Sequence, residues 1–128
     1  MTYLLDTQII LWAAFSSSQL PARSLELLQR NRGSLAFSAA SLWEVSIKTA
    51  LGRSNFVVDP VQLRAGLLGH SYRELSVNGG HAVAVRSLPP RHGDPFDRML
   101  LAQAIHEGMT LVTTDKALAS YGEPVLKV

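Results

Sequence analysis

The 128-residue sequence predicts an α/β fold, a three-layer sandwich whose central parallel sheet of four to five short strands is flanked by helices. Short apolar runs such as Leu4-Leu5 and Leu111-Val112 alternate along the chain with longer segments that carry helix-start and helix-stop signals. Apolar runs of that kind suit a parallel sheet covered on both faces. The composition agrees, because 47% hydrophobic and 17% charged residues exclude a disordered or fibrous chain.

Tyr3-Leu4-Leu5 reads as a buried strand ending at Asp6. A helix over 7–15 follows and is interrupted by Ser16-Ser17-Ser18. Pro21 opens a second helix through about Arg32, closed by Gly33. Leu35-Ala36-Phe37 is the second strand, and Ser38 caps a helix from Ala39 to Leu51 that Gly52 ends. Phe56-Val57-Val58 predicts a short extended piece or strand, and Asp59-Pro60 starts a helix running to about Leu68. A weak strand over 73–77 precedes a helix over 80–87, and Leu88 to Gly93, with two prolines, must be a loop. Helix 95–107 ends at Gly108, a strand covers 111–113, a short helix 116–121 and a terminal strand 125–128. With no repeat, low-complexity tract or linker, residues 1–128 read as one domain.

Several functions are excluded at once. Without cysteine there is no disulfide, zinc–thiolate site or thiol catalysis, and a reducing cytoplasm is the expected setting. The apolar N-terminus carries Asp6 and no basic residue, which makes a poor signal peptide. No segment approaches the ~18 uninterrupted apolar residues of a membrane span. A formal charge of +2 without a basic run permits a nucleic-acid partner. His70, His81, His92 and His106 show no metal-ligand spacing and read as surface or packing residues, His92 nearest the site. Trp12 and Trp43 read as core.

In open parallel sheets ligands bind beyond the carboxyl ends of the strands. Asp6 directly follows the first strand and Asp115 the LVTT strand, so both fall at one edge, although any residue after a strand can be polar. Glu44 shares a helix face with Ala40, Ile47 and Leu51, where an unpaired carboxylate is costly. Its bland alternative is a capping box, since Ser41-Leu42-Trp43-Glu44 fits S-x-x-E. In DPFDRMLLAQA, Asp94 caps and Pro95 opens the helix, while Asp97 shares a face with Leu101, Ala104, Ile105 and Gly108. Four carboxylates in one cleft repel and hold protons unless a cation neutralises them. Oxygen donors without cysteine favour a hard ion, Mg²⁺ or Mn²⁺, and the chemistry this implies is metal-assisted phosphodiester hydrolysis.

LLDT, SAASLWEVSIKTALGR, LPPRHGDPFDRMLLAQAIHEG and LVTTD, in that order, resemble a PIN domain of the VapC toxin type over almost the whole chain. The resemblance implies a PIN-like sandwich and a metal-dependent ribonuclease acting as the toxin of a toxin–antitoxin pair. It also implies an RNA substrate, a cognate antitoxin and a homodimer. The family's metal site carries over onto Asp6, Glu44, Asp97 and Asp115, with Asp94 in a DPFDR variant of the motif. The further acid that many relatives carry after the last one is absent, because Lys116-Ala117-Leu118 follows Asp115. Asp6 and Asp97 are expected as direct ligands, and Glu44 and Asp115 as ligands of a second ion or as groups orienting water. Thr7 and Thr113 are candidates to hydrogen-bond a carboxylate or a metal-bound water, although ending a strand or starting a helix explains them about as well. Lys48 and Arg98 are candidates for substrate phosphate, against the alternative of solvated or ion-paired surface. Two rival readings are a receiver-like phosphoacceptor domain using Asp59 and a PIN fold that binds without cutting.

Overall fold

The computed structural model describes residues 1–52 and 57–128. Five parallel strands, β1 (Tyr3–Leu5), β2 (Leu35–Ser38), β3 (Arg73–Leu75), β4 (Thr110–Thr113) and β5 (Val125–Lys127), form one sheet in the order β3-β2-β1-β4-β5. The chain winds outward from β1 to β3, then returns to place β4 on the other side of β1. The crevice where winding reverses therefore lies at the carboxyl ends of β1 and β4, where open α/β sheets bind ligands.

The period of two along each strand divides the apolar residues between two layers. Leu5, Phe37 and Val112 pack with Ile9 and Ile10 of α1 (Thr7–Phe15), Leu28 of α2 (Ala22–Arg30) and Leu63 and Leu67 of α4 (Pro60–Gly69). Leu4, Ala36 and Leu111 pack on the opposite face with Leu100, Leu101 and Ala104 of α6 (Pro95–Glu107) and Leu118 of α7 (Lys116–Ala119). Helix α3 (Ala39–Ala50) contributes Val45 to the first layer and Ala40 to the second, so it bridges them above the sheet edge. A short α5 (Gly79–Ala84) packs beside α6.

Helix boundaries follow the cap chemistry. Asp6, Ser38, Asp59, Asn78, Asp94 and Asp115 each cap a helix with a side-chain oxygen. Gly108 closes α6 at φ 68°, a left-handed conformation that glycine adopts at no steric cost.

Some sequence expectations need correction. Helix α2 stops at Arg30 and a 3₁₀ turn, Arg32–Ser34, takes the remainder. The extended piece expected over Phe56–Val58 lies partly outside the described residues, and Val57 and Val58 belong to no strand. Trp43 is 63% exposed rather than core, because α3 turns Ala40, Ser41, Glu44 and Val45 inward and Trp43 projects beside them. Leu51 and Ile105 are also exposed, at the outer ends of the faces assigned to them. Trp12 is half-buried against the first core layer. Among the described residues no helix is long and apolar enough to cross a membrane.

Candidate active site

Asp6, Glu44, Asp94, Asp97 and Asp115 all line one polar cleft of ≈ 190 Å³, together with Thr7, Gln8, Leu11, Lys48 and Thr114. The cleft sits at the β1–β4 crevice. Four separate elements deliver its acids: the end of β1, the middle of α3, the start of α6 and the turn after β4.

Capping explains how three of these carboxylates are aimed. Asp6 Oδ1 accepts the Ile9 backbone N–H at 2.9 Å, while Oδ2 accepts from the Thr113 hydroxyl. Asp94 Oδ1 accepts from the backbone N–H of Phe96 at 2.8 Å and of Asp97 at 3.3 Å. Asp115 Oδ1 accepts from Ala117 N–H at 2.7 Å and Leu118 N–H at 3.2 Å. In Asp6 and Asp115 one oxygen is thereby spent on a helix start, and the other is turned to different partners.

Glu44 is no capping-box member, because the cap of α3 is Ser38, whose oxygen accepts the Ala40 N–H at 2.9 Å. The Glu44 carboxylate is 5% exposed as a residue and is fully partnered. Thr7 Oγ1 donates to its Oε1 at 2.7 Å and lies 2.9 Å from the Ser41 hydroxyl. Lys48 Nζ, one turn on, contacts Oε2 at 2.6 Å. Thr113 links the remaining pair, since its hydroxyl donates to Asp6 and accepts the Asp115 N–H at 3.0 Å. Both threonines thus hydrogen-bond a carboxylate of the cleft.

The electrostatics are those of crowded acids. Burial, with the charges of Asp115 and Glu44 adding to it, pushes Asp6 up to about 6 against the hydrogen bonds from Thr113 and Ile9. Burial, then the charges of Asp94 and Asp6, pushes Asp97 up to about 7 against the opposing pull of His92. Burial would also raise Asp115, but the His92 hydrogen bond and the two capping N–H groups outweigh it and hold this carboxyl below its ordinary value.

Two expectations about basic residues part company. Lys48 stays on the cleft as the ion-pair partner of Glu44. Arg98, a candidate for substrate phosphate against an ion-paired or solvated surface, is spent on the preceding loop and Tyr121. Its Nη1 donates to Pro89 O at 3.1 Å and to Tyr121 Oη at 3.0 Å, and its Nη2 to Val85 O at 3.2 Å. A forked guanidinium suits that work, because it satisfies several carbonyls from one point.

His92 is the residue sequence reasoning undervalued. Its Nε2 lies 3.2 Å from both Asp97 Oδ2 and Asp115 Oδ2. Only its position two residues before the capping Asp94 hinted at this. A second trio, His81, His106 and Glu107, has a structural account. Buried His81 accepts the Asn78 N–H at Nδ1 (3.1 Å) and pairs with Glu107 through Nε2 (2.8 Å). Asp59, the anchor of a receiver-like reading, caps α4, follows no strand and is absent from the cleft lining, so that reading falls.

The residues present fit a hard divalent cation. Five carboxylates face one cleft with Lys48 as the nearby counter-charge, and the crowding and burial raise two of the acids, Asp6 and Asp97. Oxygen donors of this kind match Mg²⁺ or Mn²⁺.

Comparison with known proteins gives a consistent picture. The family model described as the PIN domain matches residues 3–124. A relative, ribonuclease VapC22 of Mycobacterium tuberculosis, is 28% identical over 124 residues, 96% of this chain and 94% of its own. Among solved structures, VapBC2 from Rickettsia felis bound to a promoter DNA fragment superposes with TM-score 0.67 at 19% identity, covering 100% and 98% of the two chains. A toxin–antitoxin complex from Klebsiella pneumoniae superposes with TM-score 0.67 at 14% identity, covering 98% and 97%.

Proposed function

The chain belongs to the PIN domain family, and from that premise we propose that it is a metal-dependent endoribonuclease, the toxin of a toxin–antitoxin pair. The observation that carries the reading is the convergence of Asp6, Glu44, Asp97 and Asp115 from four elements onto one cleft. A catalytically weak binding protein would have no use for crowded acids such as Asp6 and Asp97, which burial and neighbouring charge make costly to ionise.

Asp6 and Asp97 are the residues that would hold Mg²⁺ or Mn²⁺, with Glu44 and Asp115 completing the shell or orienting water. When bound, the cation neutralises the cluster, acidifies water and offsets charge on a phosphodiester in transit. The chain's own groups prepare that step. Thr113 and the Ile9 N–H fix both oxygens of Asp6, so its carboxylate has one orientation. Thr7 and Lys48 do the same for Glu44 from opposite sides. Lys48 also brings a cation to the cleft rim, where substrate phosphate approaches an otherwise acidic site. Asp94 completes the wall and raises Asp97 by its charge.

The substrate is RNA, and its cleavage would halt translation until a cognate antitoxin binds. That partner is supported by the VapBC and toxin–antitoxin complexes among the structural relatives. An apolar recess around Trp43, Phe96, Met99 and Val77 supports a homodimer. The deciding experiment incubates purified protein with RNA and Mg²⁺ or Mn²⁺. Cleavage abolished by chelator and by Asp97→Asn is expected; equal cleavage by the variant, or cleavage in chelator, refutes the site or the metal.

A further inference from the structure

His92 sits on the loop ahead of α6, and its two ring nitrogens work in opposite senses. Nδ1 accepts the Asp94 backbone N–H at 3.0 Å. A nitrogen that accepts carries no proton, so the neutral ring has its proton on Nε2. That nitrogen donates to Asp115 Oδ2 at 3.2 Å and lies 3.2 Å from Asp97 Oδ2. The side chain is 13% exposed, so water competes little for these contacts.

We propose that His92 is a positioning residue and not a metal ligand: anchored by Asp94, it presents Nε2–H to Asp97 and Asp115 and sets the separation of the two carboxylates. The inference deepens the metal reading of the cleft and rests on it. Asp97 stands in the first turn of α6 and Asp115 in the turn after β4, so a donor within reach of both ties two separate elements together. Backbone geometry selects the tautomer, and the tautomer selects the donor. Direct ligation by Nε2 is the competing geometry, since its nitrogen and the two carboxylates offer atoms within 4.8 Å of one another. Ligation would need the ring proton moved to Nδ1, where it would face the Asp94 N–H head-on.

The loop is built to keep the ring in place. Arg98 Nη1 and the Tyr121 hydroxyl both donate to Pro89 O, at 3.1 and 2.7 Å, and Tyr121 Oη accepts the Arg91 N–H at 3.2 Å. Arg98 therefore serves the site through His92, at one remove from the cleft.

The test uses three variants and Mn²⁺ as the probe. His92→Gln keeps a donor at the Nε2 position, His92→Asn keeps only the acceptor that holds the Asp94 N–H, and His92→Ala keeps neither. Calorimetric Mn²⁺ titration should give the Gln variant near wild-type affinity, within about threefold, and cost the Asn and Ala variants about tenfold or more, the scale of a lost outer-shell partner. Asn retaining affinity while Gln loses it would mean that His92 merely holds the loop, and would overturn the proposal. So would imidazole-nitrogen coupling in the pulsed EPR spectrum of bound Mn²⁺, because that requires direct ligation. Side-chain ¹⁵N NMR of the metal-free protein should find Nε2 protonated and Nδ1 bare; the opposite tautomer also overturns it. If wild-type protein binds no Mn²⁺, the metal reading fails separately, and the NMR result alone decides the clamp.

Discussion

Replacing Asp97 by Asn should make the metal-free protein more stable and the enzyme inactive, a pairing that distinguishes a functional acid from a structural one. The substitution keeps size and shape and removes the ability to ionise. In the folded chain this carboxyl is raised from 3.8 to about 7, first by burial and then by Asp94 and Asp6. A shift of that size has a ceiling of about 4 kcal/mol at pH 8, at ~1.4 kcal/mol for each pH unit. The side chain is 18% exposed, which lowers the figure through solvent relaxation. A neutral Asn also gives up about 0.3–1 kcal/mol of interaction with the start of α6. The expected net gain is about 2 kcal/mol, or roughly 5–10 °C in Tm for a domain of this size. The gain should shrink toward zero as pH falls to 4 and below, because the wild-type residue is then protonated in the folded chain and increasingly so in the unfolded one. Thermal melts in chelator at pH 4, 6 and 8, beside RNA cleavage in Mn²⁺, make the measurement. A Tm unchanged or lowered at pH 8 would refute the electrostatic account, whatever happened to activity.

The pH dependence of the wild type carries the same sign. Asp6 and Asp97 have folded values above their unfolded ones, so their stabilisation is complete below about 3.8 and is lost as pH rises through about 6 and 7. Metal-free protein should therefore melt at progressively lower temperature from pH 5 to pH 8 in a series of buffered scans. Added Mn²⁺ should restore most of that loss at pH 8, and a flat profile would contradict it. Thr113→Val removes the donor to Asp6 and the acceptor of the Asp115 N–H, and should cost about 1–3 kcal/mol by denaturant titration. Arg98→Lys cannot satisfy Pro89, Val85 and Tyr121 at once, so limited proteolysis should cut the 88–93 loop faster than in wild type. Arg98→Lys protein with wild-type resistance would show that the guanidinium fork is dispensable.

The elements that were legible in the sequence are those whose cause is local. Asp59-Pro60, Asp94-Pro95 and the glycine after Glu107 each announce a boundary through backbone chemistry that needs no tertiary partner. The shared edge of Asp6 and Asp115 was legible for a related reason, since in a parallel sheet every strand ends on the same side. Glu44 was ambiguous from sequence because S-x-x-E fits both a cap and a coincidence, and Ser38 resolved it. What could not be read depends on where loops arrive. His92 reaches Asp115, 23 positions away, only because the 88–93 loop folds back under Arg98 and Tyr121. Trp43 misled for the complementary reason: its hydrophobicity argues for burial, while the inward arc of α3 is already taken by smaller residues. The strand order, which creates the crevice, is likewise a property of the packed layers.

The double employment of the aspartate caps bears on how such a protein would decay. Asp6 and Asp115 each start a helix as well as line the cleft, so a chain released from any need to cut RNA would still be held to Asp, Asn, Ser or Thr at those two places. Asp97 has no such capping duty, and Glu44 is held by its own partners Thr7 and Lys48. Drift in a silenced copy should begin at Asp97, where a neutral replacement relieves burial and repulsion, and reach the caps last. The order in which acids vanish among sister sequences would then separate retired nucleases from working ones without a single assay.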